Sequence, residues 1–596
     1  MFNKVTSKLK SESKIDGISK EFGALSSDQD RASYALSLAA VEEFIRPGPL
    51  VQLKSVEHSL SFKTTGNTAY RASEYRDAVQ LYTDSIAWAP MLTDGGEDAL
   101  SLAYGNRSAA LYQLQQYEAC IRDIDRALTE QYPPRLLHKV FHRKAMCRLN
   151  LEQFEAAEES FLQPNQPDSH DQYVSLSSAC SVASTENEGR FITAVRNIAP
   201  GEIVLIEKPF ASVLLRANYS NHCHHCLKHT LEGIPCRTCP DARFCSEACR
   251  DTAMQTYHQY ECSVLNTLHH SQINKFGCLA FRAITKQSYQ SLKDIRAQDL
   301  PLNGCHSDGL YRPQDYNTII QLVTHAKDRP VQDLFHRTVM AVYLLKLLQQ
   351  TSYFNGEEDV EMQAYIAGLF LSHLQSFPCN AHEVPELYLD PNAIDLSMPN
   401  ELGAGIYSTL SLFNHSCDPG VNRNFYGDTC VVRAIKTIRK GHQVSDNYGA
   451  LYATNTLKER HDKLQPQYFF SCRCEPCSND WPLYQKINID SPRYKCTQCQ
   501  KEMTRDDITN CCSSNIEEIR AKFNKSEVEF RSAFEDLLAC RVEEALPVFL
   551  RHLALIQEMI VLPWRQFNDC QEALKQCYSL MGNSNTSCAL HNGNIF

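Results

Sequence analysis

Apolar positions along the chain change period several times, and each change marks an element. Between Ala32 and Ile45, the residues Tyr34, Leu38, Val41 and Ile45 share one helical face, and Pro47-Gly48-Pro49 ends the run. This predicts one short amphipathic helix in an otherwise weakly patterned amino-terminal stretch. From Leu60 to Gln163 the helical period persists and recurs in units. The first unit carries Gly66, Asn67, Tyr70, Tyr75, Ala78, Tyr82 and Pro90. The second carries Tyr104, Asn106, Ala109, Tyr117, Cys120, Ala127 and Pro133, and the third Phe141, Ala145, Leu149, Phe154, Ala157 and Phe161. Small residues sit where paired helices must approach, and aromatics fill the gaps between them. A polar, proline-interrupted linker follows from Pro164 to Asp171. The pattern then reads as strand, turn, strand: Gly189 to Val195, the Pro200-Gly201 turn, and a second run ending at Val204. Tyr316 to Gln350 reads as helix, with Val331, Phe335, Val339, Val342, Leu345 and Leu348 in register. Strands are expected at Ile406 to Phe413 and Cys430 to Ile435, and helices from Asn515 to Leu580 with breaks around Pro547 and Pro563.

Bulk properties narrow the class. At 596 residues the chain exceeds one core, and about 150 residues per domain implies three to five units. Hydrophobic residues make up 43% and charged residues 22%, an ordinary globular balance. The net charge of −11 and the lack of a basic stripe argue against grip on a nucleic-acid backbone. No apolar run is long enough for a membrane span, and Met1 opens no secretion signal. Twenty-six cysteines without such a signal imply a reducing compartment. The isolated Cys120, Cys147, Cys180, Cys278, Cys540 and Cys577 are expected in cores as small hydrophobes.

The remaining cysteines fall in pairs. Cys223-x2-Cys226, Cys236-x2-Cys239, Cys245-x3-Cys249 and His258-x3-Cys262 supply eight ligands in 40 residues. A two-residue gap lets both thiolates of a knuckle reach one metal, and a three-residue gap puts two ligands on one helical turn. Eight such ligands make two closed tetrahedral sites, so the zinc is structural; disulfides do not suit a chain that otherwise reads as intracellular. Downstream, Cys472-x-Cys474-x2-Cys477 offers three thiolates, one short of a tetrahedral set.

These segments carry resemblances to known families. The repeat aromatics Tyr75, Tyr117 and Phe154 recur after 42 and 37 residues; with the small-residue pattern they resemble a tetratricopeptide array, whose period is about 34, with longer connectors. An irregular helical bundle is the other reading, and in either case the stripe is core first and a peptide groove second. The cysteine–histidine block resembles the MYND finger. That resemblance assigns Cys223, Cys226, Cys245 and Cys249 to one ion and Cys236, Cys239, His258 and Cys262 to the other. Asn414-His415-Ser416-Cys417-Asp418-Pro419, followed by Gly441 to Gly449 and preceded by the Gly189-Arg190 strand–turn–strand, resembles a SET domain. Together they resemble the tetratricopeptide-bearing branch of the SET-and-MYND family of protein-lysine methyltransferases, with the SET-and-finger likeness running from Gly189 to Cys477.

The resemblance implies a multidomain α+β architecture. Its expected parts are an amino-terminal segment (1–56), helical repeats (57–163), a linker (164–182), the first SET strands (183–222) and the finger (223–262). A helical SET insertion (263–400), the SET core (401–449), a post-SET zinc segment (450–480) and a helical carboxy-terminal region (481–596) follow. It implies S-adenosyl-L-methionine as cofactor, a protein lysine as substrate and about three zinc ions, the third completed by Cys417 beside Cys472, Cys474 and Cys477. Methyl transfer to an amine is an in-line displacement that needs a neutral, aligned nucleophile rather than a metal or a covalent residue. By the family pattern Tyr448 is the catalytic residue; a strand-end aromatic is the bland alternative. Glu188, Gly189, Arg190, Asn414, His415 and Phe470 match cofactor-holding positions, and Tyr468 the lysine channel. His325 matches a helix residue reaching the cofactor, or else a helix-surface histidine.

The sequence departs from the family at Gly420, where an asparagine is usual, and at Gly441-His442-Gln443, where the turn is more acidic. The carboxy-terminal helical region looks short, its tail Asn583 to Ser587 has no evident packing role, and Cys496, Cys499, Cys511 and Cys512 are an ill-spaced candidate for one more zinc. The chief alternative is a scaffold whose repeats and finger recruit histone-deacetylase-type co-repressors or chaperones around a silent core. A monomer in cytoplasm and nucleus, with no nucleic acid and no membrane partner, completes the expectation.

Overall fold

The computed structural model describes residues 2–48, 54–90, 99–151, 168–271, 273–298, 304–389, 397–487, 492–503 and 516–585. The amino-terminal stretch forms four helices, Phe2–Ser11, Ile15–Gly23, Asp28–Ser37 and Ala39–Phe44, instead of the single one expected. Ser27 accepts from the Asp30 amide and so starts a helix earlier, while Leu38, extended at ψ 121°, breaks it. These helices pack on the long helices Val331–Leu348 and Val360–Asn380: Val5, Leu9, Ala32 and Val41 share a core with Val339, Leu345 and Phe370. Phe22 meets Phe335 edge-on at 5.2 Å.

The repeat region is a run of helix pairs, Val56–Arg71 with Tyr75–Trp88 and Ala99–Gln113 with Tyr117–Thr129, followed by Leu137–Leu151. Ala78, Tyr82, Tyr104, Ile124 and Ala127 form their core. A Cβ on Gly66 would stand 2.8 Å from the Tyr82 ring, which is why a residue without a side chain sits at that crossing. Phe154, Ala157 and Phe161 lie outside the described residues, and nothing is described of the Leu149 side chain. Of the isolated cysteines, Cys120, Cys147, Cys180 and Cys577 are buried, Cys278 is half-buried, and Cys540 is exposed in the turn after the helix Ile516–Leu538, contrary to its expected core position.

The β-rich centre holds strands β1 (Cys180–Thr185), β2 (Gly189–Ala194), β3 (Ile203–Glu207) and β4 (Ala211–Leu214). The short β5 (Ile234–Pro235) and β6 (Arg243–Phe244) lie in the finger, and β7 (Ala381–Tyr388), β8 (Met398–Ile406), β9 (Val421–Tyr426), β10 (Thr429–Ala434) and β11 (Ser584–Asn585) follow. They form antiparallel β1–β2, a β3–β10–β9 sheet, a β11–β7–β8–β4 sheet and the β5–β6 ladder of the finger. The strand expected over Ile406 to Phe413 is not one. β8 ends at Ile406 and Leu410–Leu412 is a 3-10 turn. The buried Glu207 carboxylate accepts the Thr409 and Leu410 amides at 3.0 and 2.8 Å and pins that turn. Likewise the helix expected over Tyr316 to Gln350 is two, Tyr316–Ile320 and Val331–Leu348, interrupted before Pro330. Pro547 sits inside the helix Val542–Met559 rather than at a break, close to its start, where few carbonyls precede it. The tail does pack: β11 pairs in parallel with Leu387 and Tyr388. Asn583 exchanges side-chain hydrogen bonds of 2.6 and 2.8 Å with the backbone of Gly427.

Two buried arginines join the parts. Arg107, fully buried, makes a fork to Asp123 at 2.6 and 2.8 Å and donates to the Glu232 and Gly233 carbonyls at 3.2 Å. Arg126–Glu232 (3.2 Å) and Asp84–Arg243 (2.5 Å) extend this contact between repeats and finger. Arg282 donates to Glu261 (2.7 Å) and to the Ser212 carbonyl of β4 (2.5 Å), and meets His224 Nε2 at 2.8 Å, joining finger to SET core. Arg282→Met would strand Glu261, buried and unpaired; a stability loss of about 3 kcal/mol is expected in chemical denaturation. A loss under about 1 kcal/mol would show the joint carries no weight.

Candidate functional site

The site is built where two segments cross. Asn414 to Gly420 runs beside Ser445 to Tyr448: Asp446 N–H donates to the Asn414 carbonyl (2.9 Å), Ser416 N–H to Asp446 O (2.8 Å) and Gly420 N–H to Ser445 O (2.8 Å). The other edge of the second segment is tied to β2, with the Val444 amide donating to Ile192 O at 2.9 Å. A ladder on both sides fixes the direction of every side chain at the crossing.

Tyr448 sits at its centre. Its N–H donates to His415 Nδ1 at 3.0 Å, and its hydroxyl donates to the Phe413 carbonyl at 2.8 Å. With Nδ1 accepting, His415 carries its proton on Nε2, which points at Cys417 Sγ 3.3 Å away. Burial pushes the His415 imidazole down to about 4, so it is neutral near pH 7. Burial, then the Asp446 carboxylate, pushes the Tyr448 phenol above its ordinary value, so it too stays neutral. Its ring lies 4.7 Å from Tyr468 and 5.3 Å from His415, and Phe470 stands edge-on at 6.5 Å.

A cleft of about 2400 Å³ opens over this floor, walled by Glu188, Gly189, Arg190, His325, Asn414, Tyr468 and Phe470. Asn414 Nδ2 donates to the Glu188 carbonyl at 3.1 Å, fastening the β1–β2 turn to the crossing. Gly189 has φ +63°, and a Cβ there would meet nothing within 4 Å. The left-handed backbone there favours a residue without a side chain, and the space beside it faces the cleft. The Arg190 guanidinium lies 6.0 Å from the Tyr311 ring. His325 is not on a helix: it follows Tyr316–Ile320 in the loop, with φ +53°, and stacks on Phe469 at 4.8 Å.

Phe469 and Arg329 escaped the sequence reading. Phe469 ends the helix Leu457–Tyr468 in the left-handed region at φ +61°. Arg329 lies 5.1 Å over its ring and holds the His325 loop through Thr324 O (2.9 Å) and Gln375 O (2.7 Å). The three-aromatic run Tyr468-Phe469-Phe470 was the available signal for the first; a lone arginine after a loop gave none for the second.

Three thiolate-rich groups converge, each with its ligand atoms within 4.8 Å of one another. They are Cys223, Cys226, Cys245 and Cys249; Cys236, Cys239, His258 and Cys262; and Cys417, Cys472, Cys474 and Cys477. Soft donors in sets of four with no gap for water suit a closed zinc site. At the third, the fully buried Arg460 approaches Cys477 Sγ at 3.6 Å and offsets thiolate charge. A fourth convergence, His224, His258 and Glu261, is taken by the Arg282 guanidinium described above. Cys511 and Cys512 fall outside the described residues; Cys496 is buried and Cys499 exposed.

This crossing, with its aromatic floor and thiolate brace, is that of a SET-domain protein, and the SET domain model matches residues 189–449. Over longer spans the chain is similar to the protein-lysine N-methyltransferase SMYD4 of Mus musculus, 24% identical across 89% of this chain and 81% of that protein. Its counterpart in Danio rerio is 28% identical across 76% and 69%. The histone-lysine N-methyltransferase ASHR1 of Arabidopsis thaliana is 26% identical over 50% of this chain and 55% of its own. The chain thus carries a SET domain and is similar over most of its length to proteins of the SET-and-MYND (SMYD) family. Among the described residues no helix is long and apolar enough to cross a membrane.

Proposed function

We propose that this chain is an S-adenosyl-L-methionine-dependent protein-lysine N-methyltransferase acting on histone or non-histone proteins. The observation that carries it is the Tyr448 hydroxyl, fixed by its bond to Phe413 O at the floor of an open cleft between His415 and Tyr468. Bound S-adenosyl-L-methionine supplies an electrophilic methyl group. Everything else falls to the chain's own side chains. Because the phenol proton is spent on Phe413 O, the lone pairs of Tyr448 are left to accept from an incoming amine and to align it. The phenol is neutral, so it orients rather than deprotonates; desolvation between Tyr448 and Tyr468 favours the neutral amine. Glu188, Gly189, Arg190, Asn414, His415 and Phe470 would hold the cofactor, with the open space at Gly189 admitting its close approach. His325, held by Phe469 and Arg329, would cover it.

The zinc clusters serve as architecture. The two finger sites would follow the MYND pattern, and Cys417 with the post-SET thiolates would set the wall bearing Tyr468, Phe469 and Phe470. Metal analysis of purified protein should return about three zinc per chain, one for each converging set; fewer than two would break the assignment. The paired helices fit a tetratricopeptide array, and with the finger they would recruit co-repressor or chaperone proteins to a monomer distributed between cytoplasm and nucleus. A silent scaffold has no need of the intact Asn414–His415–Tyr448 arrangement, which favours catalysis.

Incubation with labelled S-adenosyl-L-methionine and a cell lysate tests the reading. Label on lysine side chains is expected. Calorimetric cofactor binding with no transfer to any protein would replace it with the scaffold reading.

A further inference from the structure

A second, smaller cavity of about 280 Å³ lies where three parts of the chain meet, lined by Trp88, Arg216, Tyr219, Pro240, Asp241 and Arg243. None of these residues walls the cleft over Tyr448. Trp88 ends the helix Tyr75–Trp88, Arg216 and Tyr219 belong to the turn after β4, and Pro240 and Asp241 lie between β5 and β6, where Arg243 begins. His58 stacks on the Trp88 indole at 4.6 Å, and the Tyr219 hydroxyl is bonded to His269 Nε2, so both rings are held as walls. Asn218 donates to Glu401 O (2.8 Å) and Leu402 O (3.1 Å) and ties the turn of Arg216 to β8.

The polar groups between these walls are incompletely used. His270 Nδ1 donates to Asn266 O at 2.8 Å, so its Nε2 accepts from Arg216 at 3.0 Å, which occupies one arm of that exposed guanidinium. Arg243, 7% exposed, spends its two outer nitrogens on Ser220 O (2.8 Å) and Asp84 (2.5 Å) and leaves Nε buried without an acceptor. The Trp88 N–H and the Asp241 carboxylate have no hydrogen-bond partner among the described residues. Polar groups so far from free solvent are ordinarily satisfied, so the set calls for a ligand. With Asp84 offsetting Arg243, the charges left unpaired at the cavity are Arg216 and Asp241, one of each sign. A lone phosphate would face Asp241, and a lone ammonium would face Arg216. A ligand that answers both carries an anion and a cation close together, and a cavity this small leaves room for few atoms beyond them.

We propose that this cavity binds a free α-amino acid with an apolar side chain. Its carboxylate accepts from Arg216, Arg243 Nε and the Trp88 N–H, its ammonium donates to Asp241, and its side chain lies among Trp88, Tyr219 and Pro240. Charge-assisted bonds at both ends supply the affinity, and the apolar walls select the side chain. The site is independent of methyl transfer. Its groups come from a repeat helix, the turn after β4 and the finger, so the bound amino acid ties these three together and stabilises their joint.

Full-length protein is titrated calorimetrically with L-leucine, L-methionine and L-phenylalanine, each as the free amino acid, the methyl ester and the N-acetyl derivative. Saturable binding of at least one free amino acid is expected, weakened at least about tenfold by either cap, the size of one charge-assisted hydrogen bond. Arg216→Glu, at an exposed position, should weaken it at least about tenfold while melting of the unliganded protein and methyl transfer stay unchanged. Asp241→Asn should weaken the free amino acid by a similar factor and leave the N-acetyl derivative, which has no ammonium, unaffected. Trp88→Phe, which keeps a ring but loses the N–H, should weaken it less than Arg216→Glu. No saturation by any of the three at about 10 mM, where a Kd of about 1 mM would show, would overturn the proposal. So would equal binding of free and capped forms, displacement by inorganic phosphate as effective as by the amino acid, or unchanged binding in Arg216→Glu.

Discussion

Tyr448→Phe is expected to lower kcat for methyl transfer by about a hundredfold or more while leaving the KM for S-adenosyl-L-methionine within about threefold. The substitution removes one oxygen that donates to Phe413 O at 2.8 Å and leaves the ring against Tyr468 and His415. The His415 Nδ1 bond is to the Tyr448 backbone and survives. The loss therefore falls on alignment of the amine rather than on the cofactor pocket. The pH profile separates this role from general-base catalysis. A free lysine titrates near 10.4, so the rate should rise with pH as the nucleophile loses its proton. Burial holds the phenol neutral over that range, so Tyr448 itself should add no rise or fall. The variant should show the same slope at lower rate. A variant with unchanged kcat, or with a flattened profile, would remove Tyr448 from the site or recast it as a base.

Cys417→Ser is expected to cost nearly all activity by a different route. Cys417 lies 3.5 Å from Cys477 Sγ and 4.0 Å from Cys472 Sγ, and it sits within the crossing. The fourth thiolate joins segments 55 and 60 residues apart in sequence, so a zinc held there would tie the post-SET wall to the catalytic floor. Losing it should drop zinc content by one ion and speed amide exchange over Cys472 to Cys477 at least about tenfold, as local opening becomes easier. Tyr468 and Phe470 would then lose their orientation over Tyr448 and His415. Exchange unchanged from wild type would show that the wall stands without the shared metal. Fold elsewhere should persist, because the helical cores and the β3–β10–β9 sheet do not use that metal.

The contrast between these two residues also marks how much the sequence tells. Ligand number showed only that Cys472, Cys474 and Cys477 are one short of a set; Cys417 as the fourth and Tyr448 as the catalytic residue came through the resemblance to the SET family. Phe469 and Arg329 came through neither. Phe469 matters through a left-handed helix end and a stack on His325, neither of which leaves a periodic trace. The resemblance puts His325 on a helix, whereas Pro330 and the Arg329 bonds to Thr324 O and Gln375 O hold that stretch open as a loop. The Ile406–Phe413 strand failed for a related reason: a carboxylate more than 200 residues away, Glu207, captures two amides and turns the chain.

What the amino-acid order decided alone was local and chemical. It set the helical repeats, the strand–turn–strand at Gly189, the pairing of thiolates and the Asn-His-Ser-Cys segment, since periodicity, turn residues and ligand gaps act over a few neighbours. What only the tertiary structure decided was non-local. It laid Asn414 to Gly420 against Ser445 to Tyr448, stacked His325 on Phe469, used Arg282 and Arg107 as joints, and gave the tail at Asn583 a place beside Gly427. Such contacts depend on which distant backbone groups and charges become neighbours once the cores close, and no short-range pattern encodes that.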